Sequence, residues 1–234
     1  MSITTYNVIL MEENNRIQLD IKSVLKQRAP AIANKIPRFA LNYLIRTVHQ
    51  DEINDILTRY HDKQGVDFMI ELLDYFKLTL KIVGEENIPT TGRYTFVSNH
   101  PLGGLDGICL SAIIGEKYQG EIKYPVNDLL LYLPNLKDIF IPINKHGVQG
   151  RKNALIMHEA YLSDNQIITF PAGMCSRKNN GILDDSEWKK NFIQKSIEYQ
   201  RDIVPIFFEG ENSAFFYRFA RLRDRKSTRL NSSH

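Results

Sequence analysis

Two cysteines, one tryptophan, little net charge and no long apolar run set the first limits on this 234-residue chain. Cys109 and Cys175 are too few for a disulfide framework, so a reducing compartment is expected. They stand in no metal-type spacing, and neither a metal nor a cofactor is expected. The longest uninterrupted apolar stretch, residues 129–133, has five residues, against the ~20 that a membrane span needs. The first fifteen residues lack the basic region and apolar core of a secretory signal. A chain that works in the cytoplasm or on a membrane surface is therefore expected. A formal net charge of only +3 implies no strong general field, so anions must be bound by local clusters of Lys and Arg. No basic stripe interleaved with aromatics is present, which argues against nucleic acid as a partner.

What remains is ordinary in amount: 43% hydrophobic and 24% charged residues, enough for one good-sized domain. The first quarter carries helical spacing of apolar residues over 18–28 and 36–48, with Lys22, Lys26, Arg28, Lys35, Arg38 and Arg46 between them. Two further short helices are expected over 51–60 and 65–76. From about residue 78 the pattern changes to short β-branched and aromatic runs: 78–83, 94–98, 122–126, 139–143, 167–170 and 203–208. Helical stretches such as 150–162 and 186–200 separate several of them. Strands alternating with helices, apolar without strict alternation, predict an α/β domain whose central sheet is largely parallel and flanked by helices. The expected division is a helical segment over 1–77, an α/β domain over 78–224 and a non-native tail over 225–234.

Four segments carry chemistry. In the first, SNHPLGGLDG (98–107), a strand runs straight into His100, and Asp106 follows after two glycines. A loop containing Pro101, Gly103 and Gly104 can fold back so that the carboxylate reaches the imidazole. A histidine takes a proton from a hydroxyl at neutral pH, and a carboxylate on its other nitrogen fixes the tautomer and stabilises the imidazolium. Backbone amides at Gly103 and Gly104 are candidates for an oxyanion site. The second segment is IFIPINKHG (139–147), a strand with a basic end. The third is TFPAGMCSR (169–177), a strand feeding a turn at Gly173 and then Arg177. The fourth, VPIFFEG (204–210), is a late strand with Pro205 inside it.

In this order, over roughly residues 80–210, these segments resemble the lysophospholipid and glycerol-phosphate acyltransferase family. SNHPLGGLDG with FPAGMCSRK is most similar to a bacterial hemolysin-like branch that includes O-acyltransferases of ornithine and glycine lipids. The resemblance implies His100 as general base, Asp106 as its orienter, and acceptor binding by the later turns, namely Asn144, Lys145, Gly173, Ser176 and Arg177. It also implies a lyso-lipid acceptor, a thioester of acyl carrier protein or coenzyme A as donor, and peripheral attachment to the inner face of the cell membrane. Three departures stand out: five residues rather than four between His100 and Asp106, Asn144-Lys145 where an Arg is usual, and Ala172 and Cys175 in place of a Glu and an Arg. Losing a carboxylate and shifting the cation to Arg177 favours an acceptor whose head is an amino acid, over plain lysophosphatidic acid. The rival expectation is a non-catalytic membrane-binding protein that retains the fold.

Overall fold

The computed structural model describes residues 10–13, 16–28, 30–47, 49–127, 133–143, 150–179, 181–217 and 220. A hairpin, β1 (Leu10–Glu13) and β2 (Arg16–Leu19), opens the chain. Helices α1 (Ile21–Arg28), α2 (Pro30–Ala33), α3 (Arg38–Thr47), α4 (Gln50–Arg59) and α5 (Gly65–Tyr75) follow. Then come β3 (Tyr94–Ser98), α6 (Gly104–Lys117), β4 (Ile122–Asn127), β5 (Phe140–Ile143), α7 (Arg151–Leu162), β6 (Gln166–Thr169), the hairpin β7 (Arg177–Asn179) and β8 (Ile182–Asp184), α8 (Asn191–Glu198) and β9 (Asp202–Ile206). Five strands form one sheet in the order β5-β4-β6-β3-β9, every pair parallel. The expected architecture is therefore present.

Burial explains the arrangement. Thr95, Phe96, Val97 and Ser98 of β3 and Gln166, Ile167 and Ile168 of β6 are all buried, as central strands covered on both faces must be. β9 lies at an edge, where Pro205 loses little by lacking an N–H. On one face α5 packs Val66, Phe68, Met69 and Leu72 toward α6 and β4. A Cβ on Gly115 would lie 2.5 Å from the Val66 methyls, so glycine lets α5 and α6 approach this closely. The opposite end of the sheet from the site is held by Arg201, 4% exposed. Its guanidinium donates to the carbonyls of Tyr161, Tyr94, Asn165, Ala160 and Ser163.

Three expectations are corrected. Residues 78–83 form no strand: Lys81, Ile82 and Val83 are exposed and the run has no pairing partner among the described residues. The pattern over 18–28 covers the end of β2 as well as α1, because Asn54 of α4 exchanges hydrogen bonds with Leu19 and Gln50 accepts from Ile21 N–H. The stretch 186–200 is helical only over α8, residues 186–190 being drawn out of the helix by contacts described below. The suspected tail, 225–234, lies outside the described residues.

Candidate active site

Because all five strands run in parallel, their carboxyl ends share one edge of the sheet, the usual position of a ligand site in such folds. His100 follows β3 there and stacks on Phe170, which follows β6, with ring centroids 4.1 Å apart and planes 23° apart. Phe170 in turn stacks on Tyr124 of β4 at 6.3 Å. The imidazole is thus fixed from one side by an aromatic wall and remains partly open to solvent.

Asp106 is fully buried at the third position of α6. Its Oδ2 lies 3.0 Å from His100 Nδ1 and accepts hydrogen bonds from the backbone N–H groups of Leu102 (2.9 Å) and Gly103 (3.0 Å). The Nδ1 contact is close without the alignment of a hydrogen bond, and Oδ1 has no partner among the described residues. Two amide donors and the start of a helix offset the cost of burying this charge. Gly103 makes the fold-back possible: its φ is +76° and a Cβ there would press on Cys175 Sγ at 3.0 Å. The five residues between His100 and Asp106 are accommodated by this turn, which wraps around the carboxylate.

The loop bearing His100 is held from three sides. Asn99 donates to Phe208 O (2.8 Å) and accepts from Phe208 N–H (2.6 Å), like an added strand residue. Asn212 donates to Pro101 O at 2.6 Å. Ser176 N–H donates to His100 O at 2.8 Å, and the Ser176 hydroxyl donates to Asp185 Oδ1 at 2.5 Å. That same Oδ1 accepts from His100 N–H at 3.3 Å, while Oδ2 accepts from Trp188 Nε1 at 2.8 Å. Asp185 therefore ties the base's own backbone to the turn after β6.

A cavity of about 890 Å³ opens beside His100. Gly103, Gly104, Gly107 and Ser111 of the α6 side, side chains of α4 and α5 such as Leu57, Phe68 and Leu72, and Phe140 of β5 line it. Cβ atoms built on Gly104 or Gly107 would meet nothing within 4 Å, so both glycines leave open space over the first turns of α6. Ser111 is buried in the same wall, its hydroxyl next to that of Tyr124. Cys109, nearby on α6, is 2% exposed, and its thiol is pushed up to about 11 by burial and then by the charge of Asp106. It holds its proton at neutral pH and is no nucleophile.

Of the residues predicted from sequence, His100, Asp106, Gly103, Gly104 and Gly173 come together here. The Gly103 N–H, expected at an oxyanion, donates here to Asp106; the Gly104 N–H has no acceptor among the described residues. Ser176 is buried and serves Asp185. Arg177 lies outside the cavity lining: it donates to Cys175 O at 2.6 Å, approaches Met174 Sδ and sits 6.0 Å over the Phe216 ring. Asn144 and Lys145 lie outside the described residues. Sequence reasoning missed Phe170, Asp185, Trp188 and the contribution of α4 and α5; only a fold brings these to His100.

A buried carboxylate beside an imidazole, at the wall of a mostly apolar cavity, is an arrangement suited to group transfer. The comparisons make the class specific: residues 23–233 match the acyltransferase family, and the chain belongs to it. It is an acyltransferase. It is similar to the lyso-glycine lipid O-acyltransferase of Bacteroides thetaiotaomicron, 46% identical over 210 residues covering 90% of this chain and 77% of that one. It is also similar to the lyso-glycine lipid O-acyltransferase of Phocaeicola vulgatus, 47% identical over 216 residues, covering 92% and 77%. No solved structure matches it.

Proposed function

We propose that this enzyme moves a fatty acyl group from an acyl carrier protein or coenzyme A thioester to the hydroxyl of a lyso-lipid with an amino-acid head, a lyso-glycine lipid first among candidates. The observation that carries this reading is the pairing of His100 and Asp106 at the wall of a large apolar cavity. The names of two relatives at 46% and 47% identity point to the acceptor.

The chemistry follows from the geometry. With Nδ1 turned to Asp106, Nε2 of His100 accepts the proton of the acceptor hydroxyl as its oxygen attacks the thioester carbonyl carbon. The carbonyl oxygen gains charge, and the unpaired N–H of Gly104 is the available donor for it. The carbon–sulfur bond then breaks, and the leaving thiolate takes the proton back from His100. Asp106 stabilises the imidazolium in between. No covalent enzyme intermediate is needed. The acyl chain fits the cavity between α6 and α4–α5, where each buried methylene contributes about 0.8 kcal/mol.

The test is acyl transfer measured by mass spectrometry with lyso-glycine lipid, lyso-ornithine lipid and lysophosphatidic acid, each with both donor types. His100→Ala and Asp106→Asn are each expected to lower kcat on the order of 100-fold or more with little change in KM. Full activity of His100→Ala would overturn the assignment of the base. Equal use of lysophosphatidic acid would overturn the acceptor class.

A further inference from the structure

We propose that Lys189, and not Arg177, is the cation that receives the anionic head of the acceptor, an assignment that rests on the acyl-transfer reading above. The two cations lining the cavity among the described residues are Lys189 and Lys195. Lys195 is paired with Glu198 at 2.8 Å and lies 5.2 Å over the Tyr199 ring. Lys189 has no ion pair or side-chain hydrogen bond among the described residues. It is solvent-exposed and also part of the lining, so it marks where the cavity opens to water.

Its position is built rather than incidental. Residues 185–189 form a strap across the turn that follows β6. Asp185 anchors one end through Ser176, Trp188 and the His100 N–H. Ser186 Oγ donates to Ala172 O at 3.4 Å, and Lys189 N–H donates to Pro171 O at 3.2 Å. The turn reverses at Gly173, whose φ is +68°, and a Cβ built on it would lie 3.8 Å from Lys189 Nζ. That spacing is ordinary contact, so the ammonium lies directly over the turn. One face of this turn carries Phe170 against the His100 ring; its other end carries the amine. An acceptor that offers its hydroxyl to His100 therefore has a cation within the same wall for its head.

The ligand chemistry is that of a carboxylate or phosphate. A glycine joined to an acyl chain through its amine presents a free carboxylate, so the proposed acceptor supplies such a group; the donor's phosphates are the other source. A charge-assisted contact of this kind is worth about tenfold in affinity. Substituting an exposed lysine does not disturb folding, which an unchanged melting temperature verifies.

Kinetics are read for the parent, Lys189→Met and Lys189→Arg, with lyso-glycine lipid and with its uncharged amide counterpart. Lys189→Met is expected to raise KM for the charged acceptor about tenfold with kcat nearly unchanged, and Lys189→Arg to stay near the parent. On the amide, parent and Lys189→Met should coincide. Loss of equal size on both acceptors overturns the proposal. So does a rise in KM for the thioester instead, which gives the amine to the donor's phosphates. If the parent turns over neither glycine-headed acceptor, the acceptor class proposed above has failed. Lys189 is then scored by lysophosphatidic acid against monoacylglycerol, where a charge-independent effect overturns it.

Discussion

Asp185 belongs to no predicted motif, yet its carboxylate gathers the Ser176 hydroxyl, the Trp188 indole and the N–H of His100 itself. In the proposed reaction it would act only through His100, as a positioning residue. Asp185→Ala removes the acceptor for all three donors, each left unsatisfied or turned to water at a cost of about 1–3 kcal/mol. The expected outcome is a fall in kcat on the order of tenfold or more with KM for the thioester nearly unchanged, and partial recovery in Asp185→Asn, which keeps an oxygen acceptor. An equal loss in both variants with an unfolded fraction visible by circular dichroism would make the role purely structural. Nothing in the sequence pointed to this residue, because the two partners that tie it to the site, His100 and Ser176, lie 85 and 9 positions away. His100 and Asp106, by contrast, were legible: both sit in one short segment whose glycines allow a single fold-back. Arg177, expected at the acceptor, falls outside the cavity lining, because a cation close in sequence to a motif has no fixed direction until its hydrogen bonds are known.

Helix α6 shows how an element serves two masters. Its Leu110 and Ile114 are core, while Gly104 and Gly107 face open cavity. Glycine within a helix costs about 1 kcal/mol against alanine, and neither position has a positive φ or a close neighbour that requires it. Space for a ligand is the remaining reason. Gly107→Leu is therefore expected to leave stability equal or higher by thermal melting, and to shift preference toward shorter acyl donors when kcat/KM is read across a chain-length series. An unchanged length profile would remove the acyl chain from this wall. The parallel sheet and most helices were readable from alternation and spacing. The run 78–83 failed because β propensity reports a willing surface and not the presence of a neighbour. The cavity was unreadable since Leu57, Phe68 and Leu72 look the same whether they line a void or fill a core.

For the molecule as a whole, the proposed lyso-lipid acceptor would have to be reached at a bilayer surface. No helix among the described residues is long and apolar enough to cross a membrane. On α3, Phe39 and Tyr43 are 77% and 49% exposed, with Arg38 and Arg46 exposed beside them. That combination of exposed aromatics and basic residues suits the surface of anionic lipid. Replacing Phe39 and Tyr43 by Ser is expected to weaken co-sedimentation with anionic vesicles about tenfold while leaving transfer to detergent-dispersed acceptor intact. Undiminished sedimentation would assign attachment to another surface.

The strand that delivers His100 also sets when the enzyme can first work. β3 lies between β6 and β9, both made later: Tyr94 waits for Gln166, 72 positions on, and Asn99 for Phe208, 109 positions on. Pairings this distant form slowly, because the chain between them must be ordered before they stabilise anything. During synthesis the histidine leaves the ribosome early, but its loop stays unfastened until nearly all of the described chain has emerged. A half-made copy thus carries His100 and Asp106 in sequence with their loop still unfastened, so the proposed acyl transfer waits for a finished fold.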